Sequence, residues 1–74
     1  MEESAIKLGS VYEGSRGETR KVVSIAKSGD GRAKYDQVVF TVVNEATGPG
    51  RRLHKGAQRT VAINAFSAWA MKAA

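Results

Sequence analysis

Apolar and polar residues alternate with a period of two along most of this chain, and glycine-rich turns cut the alternation into strand-length pieces. Ile6, Leu8, Ser10 and Tyr12 alternate with Lys7, Gly9, Val11 and Glu13, which predicts a short first strand. Gly14-Ser15-Arg16-Gly17 follows as a turn in which glycine makes positive φ cheap. Thr19 to Lys27 is a predicted second strand. Its pattern puts Val23 and Ile25 on one face with Lys21 and Lys27, and Val22 and Ala26 on the other with Arg20 and Ser24. Ser28-Gly29-Asp30-Gly31 is a hairpin signal, Asp-Gly being a favoured pair for a tight two-residue turn. Tyr35 to Asn44, rich in Val, Phe, Tyr and Thr, reads as the strongest strand. Val38, Phe40 and Val42 form its inner row, and Val39 and Val43 make its other face apolar too.

Gly48-Pro49-Gly50 ends that strand or turns it into a hairpin, since proline lacks the ladder donor a central strand needs. Residues 51–58 fit either an irregular basic loop or a returning strand, and Arg59 to Ile63 a short strand with Val61 and Ile63 inward. The period then changes. Asn64 is placed to act as a helix N-cap, and residues 65–73 are rich in the helix former alanine. Phe66, Trp69, Ala70 and Ala73 fall on one helical stripe, with Met71 on the far side. Together these elements predict a mainly β fold: a small SH3-like, partly open antiparallel barrel of four or five strands with a short C-terminal α-helix. It occupies residues 1–74 as one domain, with residues 1–5 frayed. A three- or four-stranded sheet with the helix across one face uses most of the same elements.

Size and charge narrow the picture. A chain of 74 residues without cysteine gains nothing from disulfides or thiolate-bound metal, so packing must hold it. The net charge is +5 and the pI about 10, which favours attraction to polyanions. Residues 1–18 carry two basic and four acidic groups, 19–34 five and one, 35–50 none and two, and 51–74 five and none. The positive charge therefore sits in two blocks. The acidic opening Met1-Glu2-Glu3-Ser4-Ala5 has no secretory pattern, and no apolar run reaches the ~20 residues needed to span a bilayer. A cytoplasmic protein of bacterial or viral origin, without membrane association, is the expectation.

No constellation supports a reaction. The single histidine, His54, lies between Arg52 and Lys55 with no carboxylate nearby in sequence, no serine sits in a nucleophile elbow, and the seven acids form no pair at helical spacing. The expected protein is not an enzyme and takes no cofactor, metal or evident small-molecule substrate. None of the glycine turns matches a P-loop. The strongest candidate is the basic segment 51–59, with four formal positive charges in nine residues and no acid. Arg51, Arg52, Lys55 and Arg59 are its candidate nucleic-acid contacts, and Arg16, Arg20 and Arg32 extend the surface if the hairpin tips converge. The competing reading is a solvated hairpin whose charge blunts an exposed edge. Phe40, Phe66 and Trp69 suit a core, and Tyr12 and Tyr35 a barrel mouth with the hydroxyl in water. Val39, Val43, Trp69 and Met71 are candidate interface residues, because apolar surface without a partner marks contact sites. Candidate partners are thus DNA or RNA, a second copy of the chain, or a host protein.

Gly9 to Tyr12, Arg20 to Ile25, Val38 to Val43 and the closing Phe66-Ser67-Ala68-Trp69-Ala70 together resemble short SH3-like proteins encoded by phages and other mobile elements. That resemblance implies a compact SH3-like fold and accessory roles, not a defined activity. Gly9-Ser10-Val11, Gly14, Gly17 and Val22-Val23 also resemble the KOW motif of ribosomal and transcription-factor domains, which implies RNA contact without assigning residues.

Overall fold

The computed structural model describes residues 1–28 and 34–74. The predicted turn at Gly29-Asp30-Gly31 and the candidate contact Arg32 lie outside the described residues. The strands are β1 (Val11–Glu13), β2 (Thr19–Ala26), β3 (Gln37–Asn44), β4 (Gln58–Ala62) and β5 (Lys72–Ala73), with a helix α1 (Ile63–Trp69) between β4 and β5. All pairings are antiparallel, and the strands form one open sheet in the order β4-β3-β2-β1-β5. The fold is mainly β with a single short C-terminal helix among the described residues, consistent with a small SH3-like fold.

β3 is the axis of the core. Val38, Phe40 and Val42 are buried, and residues between them are half-buried, as the alternation predicts. β2 departs from simple alternation. Its register against β3 slips between Val22 and Ser24, so Val22 faces Phe40 and Ile25 faces Val38. That bulge puts Val22 and Ile25 on the core side and leaves Val23 41% exposed, reversing the expected pairing of Val23 with Ile25. β1 is shorter than the alternation implied. A turn at Lys7 to Ser10 buries Ile6 but leaves Leu8 65% exposed.

Tyr12 corrects a second expectation. Its ring is buried, and its hydroxyl donates to the Ala5 carbonyl and accepts from the Lys7 amide, both at 2.7 Å. The hydroxyl binds the preceding segment to the core instead of meeting water. Residues 51–57 form a loop, so the returning strand begins only at Gln58.

The helix is shorter than residues 65–73 and starts earlier. Ala62 is its N-cap and makes no side-chain hydrogen bond; Asn64 lies inside the first turn, its Oδ1 buried and without a partner. The start of the helix is tied down through its backbone instead, the Ile63 amide donating to the Asp36 carbonyl at 2.8 Å. Beyond Ala70 the chain turns extended. Met71 donates to the Glu13 carbonyl and Ala74 to that of Val11, each at 2.9 Å. Alanine propensity is a weak preference, and here the unpaired edge of β1 overrides it by offering each amide a partner. Ala73 consequently leaves the predicted stripe and stands exposed in β5, while Phe66 and Ala70 stay buried.

At the far end of the sheet, Asp36 holds the close of β2. Its carboxylate accepts from the Ser28 amide at 2.9 Å, the Ser28 hydroxyl at 3.2 Å and Lys27 Nζ at 3.3 Å. The Ser28 amide does most to hold the Asp36 carboxyl below its ordinary value, with Lys27 and the Ser28 hydroxyl adding and partial desolvation opposing. A group depressed in the folded state stabilises fully above its ordinary pKa, and the gain vanishes as pH falls through the lowered folded value. Asp36→Asn is therefore expected to be less stable than the parent at neutral pH, with the gap closing in acid. Urea midpoints compared at neutral and acid pH would check this; a gap that stayed constant would refute it.

Candidate nucleic-acid interface

Two loops meet beside the β1–β2 end of the sheet. The first, Ser15–Gly17, is a single 3-10 turn in which Arg16 adopts a left-handed conformation, φ 60° and ψ 26°. Such a backbone costs an L-residue other than glycine on the order of 1–2 kcal/mol, so its surroundings must hold it. They do. The Arg16 carbonyl accepts from the Thr47 amide at 2.8 Å and the Thr47 hydroxyl at 3.0 Å. Its guanidinium reaches across to the second loop, donating through Nη1 to the Pro49 carbonyl and through Nη2 to that of Arg51 at 3.0 Å. Gly48 and Gly50 flank Pro49 at φ 90° and 105°, the left-handed region that lets this loop present its carbonyls to the fork.

Between the loops lies a shallow groove of about 430 Å³, lined by Arg16, Arg51 and Arg52 on its walls and by Arg20, Leu53 and Trp69 beneath. Ser15, Glu18 and Ala46 complete it. Arg20 was expected on the exposed cationic surface and is not there. It lies on the core side of β2, opposite Val42, with its guanidinium 4.4 Å from the Phe40 ring centre and 4.0 Å from that of Trp69. Glu18 Oε1 meets its Nη2 at 2.9 Å, and the two side chains are 8% and 15% exposed respectively. Stacking on two rings and a buried carboxylate partner make Arg20 part of the groove floor.

Trp69 packs against the Arg20 guanidinium, lies so close to Gly14 that a β-carbon there would meet its indole, and sits 5.3 Å centre to centre from Phe66. It belongs to the core side of the sheet, whereas Val39 and Val43 sit on the opposite face of β3, so these candidate interface residues do not form one surface. Met71 is 70% exposed.

The remaining cations divide. Arg52 Nε lies 3.5 Å from Glu45 Oε1, and its Nη1 donates to the Gly48 carbonyl at 3.1 Å, which fixes the side chain at the groove wall. Arg51 has no side-chain partner among the described residues. Lys55 and Arg59 do not line the groove: the Lys55 amide donates to Glu45 Oε2 at 3.1 Å, and Arg59 Nη1 donates to the Gln58 carbonyl at 2.8 Å, next to it on edge strand β4. The structure thus brings together Arg16, Arg51 and Arg52 of the predicted contacts, with Arg20 below them. Sequence reasoning did not place Glu18 or Leu53 here; the spacing of Glu18 and Arg20, an acid and a base two residues apart across the start of β2, was the signal available for the first. His54 is solvent-exposed, and Glu45 Oε2 stands 3.9 Å from its Nδ1, too far for the hydrogen bond that would orient a general base.

The arrangement defines a small SH3-like β module carrying an arginine-lined groove. Compared with protein-family models, curated proteins and solved structures, the chain matches none.

Proposed function

We propose that this protein is a non-enzymatic binding module that grips the phosphate backbone of DNA or RNA with Arg16, Arg51 and Arg52. The observation that carries the reading is the Arg16 fork. By bonding to the Pro49 and Arg51 carbonyls it joins two loops distant in sequence, so that three guanidiniums border one groove. A guanidinium carries five N–H donors, so Arg16 and Arg52 retain donors after their internal bonds, and Arg51 keeps its full set among the described residues. Charge-assisted pairs of this kind suit phosphate oxygens. The contacts offered are to phosphate oxygens, and Trp69 is engaged by Arg20 and lies close against Gly14. Affinity is therefore expected to be salt-sensitive and nearly indifferent to sequence. An accessory role of the kind borne by short phage-encoded proteins agrees with such binding.

Three phosphate contacts on duplex DNA give a log–log salt slope near −2.7, so affinity is expected to fall about 40-fold between about 50 and 200 mM salt. Arg51→Ala is expected to reduce that slope by about 0.9 without altering the fold. Fluorescence anisotropy titrations at several salt concentrations measure both. An absence of binding at low salt, or a slope unchanged by the substitution, would remove the reading.

A further inference from the structure

The charge balance of the groove points to a more particular ligand, on the premise that the site binds nucleic acid. Four arginines line it, but Glu18 is paired with Arg20 and Glu45 with Arg52. The two remaining guanidiniums, those of Arg16 and Arg51, leave a local surplus of two positive charges. An internal phosphodiester carries a single negative charge, whereas a terminal phosphomonoester carries about −1.5 to −2 near neutral pH and offers three acceptor oxygens. The shape agrees with the charge. The walls belong to two separate loops, Ser15-Arg16 on one side and Arg51-Arg52 on the other, with Leu53 and the Arg20–Trp69 pair as floor. A phosphate within a duplex is flanked by chain in both directions and lies on a convex cylinder. A phosphate at a strand end projects freely and fits a concave site between loops.

We propose that the groove captures the terminal phosphate of a single-stranded nucleic acid, with Arg16 and Arg51 as its direct ligands and Arg52 closing the wall. Arg20 and Glu18 are positioning residues: they fix the floor and the Trp69 indole without touching the phosphate. Leu53 and Ala46 give the sugar of the terminal nucleotide an apolar surface.

The test compares one short single-stranded oligonucleotide bearing either a 5′-phosphate or a 5′-hydroxyl, with a 3′-phosphorylated version and the blunt duplex alongside. Binding is read by anisotropy and by the fluorescence of Trp69, the only tryptophan in the chain. A terminally phosphorylated strand is expected to bind about tenfold tighter than its hydroxyl counterpart, the worth of one further charge-assisted hydrogen bond. Only the phosphorylated strand is expected to change the Trp69 signal. The preference should disappear in Arg51→Ala, an exposed position whose fold is checked by circular dichroism, and inorganic phosphate should compete for it. Equal affinity for both ends, with a normal salt slope, would overturn this inference while leaving backbone binding intact. Failure of every strand to bind at low salt would overturn both. Displacement of the oligonucleotide by an equal concentration of a phosphoserine peptide would overturn the assignment to nucleic acid.

Discussion

Phe66→Ala is expected to bring the domain to the edge of unfolding. Phe66 has no exposed surface and is the one ring that meets all three other core aromatics. Tyr12 approaches it edge-on at 5.7 Å, Phe40 lies at 5.7 Å and Trp69 at 5.3 Å between ring centres. Removing a buried phenyl costs about 3–5 kcal/mol, because apolar burial is lost and a cavity is left. Domains have roughly 0.05–0.15 kcal/mol of stability per residue, which for this length is about 4–11 kcal/mol in all. The substitution therefore takes about a quarter of the total or more. The helix would suffer first, since seven residues cannot persist without tertiary packing and Phe66 is its main anchor. Urea unfolding followed by far-ultraviolet circular dichroism, with loss of the near-ultraviolet signal of Trp69, would measure it. Phe66→Leu, which keeps most of the volume, is expected to cost about half as much. A Phe66→Ala variant within about 1 kcal/mol of the parent would show that the aromatic cluster is not what holds the sheet to the helix.

The second large effect is expected at Gly14. Its backbone is ordinary and extended, φ −116° and ψ −156°, so the requirement for glycine is not conformational. It is steric. A β-carbon there would collide with Cε2, Nε1 and Cζ2 of the Trp69 indole. Gly14→Ala must drive the indole outward, breaking its packing on Phe66 and its stacking with Arg20. Overpacking costs typically 1–3 kcal/mol, and because the indole parts from both the Phe66 ring and the Arg20 guanidinium, the upper end, about 3 kcal/mol, is expected. At about 4–8 °C per kcal/mol for a domain this small, Tm should fall by roughly 12–24 °C. Adding Trp69→Leu should recover part of the stability, because the clash vanishes with the indole. The resulting coupling in a double-mutant cycle is the decisive number. Additive effects would mean that Gly14 matters for another reason.

The strands of this protein were legible where side-chain period decides the matter, above all in β3, where Val38, Phe40 and Val42 could hardly face anywhere but inward. What escaped were features decided by pairing between distant segments. The slip at Val23 is a register choice made jointly with β3, and local alternation carries no trace of it. Ala70 to Ala74 have alanine's helical preference, but Val11 and Glu13 offer open carbonyls, and that offer appears only once β1 is in place. The candidate site divides along the same line. Arg16, Arg51 and Arg52 could be proposed from loop position and charge, yet their meeting depends on a left-handed arginine whose side chain bonds to carbonyls thirty-odd positions away. Arg20 misled for a related reason. A cation on a strand is read as surface, and only the arrangement of Glu18, Phe40 and Trp69 around it makes burial tolerable.

The Arg16 fork has a kinetic consequence. Loops that must be marshalled at the moment of capture slow association and weaken it, since their freedom is surrendered to the incoming molecule. Here that freedom is already gone once the chain has folded, the two turns being stitched together by their own guanidinium and threonine bonds. On the proposed function, an anion arriving at this rim would meet loops already in place, and its capture would be set by diffusion, orientation and electrostatic guidance rather than by loop ordering.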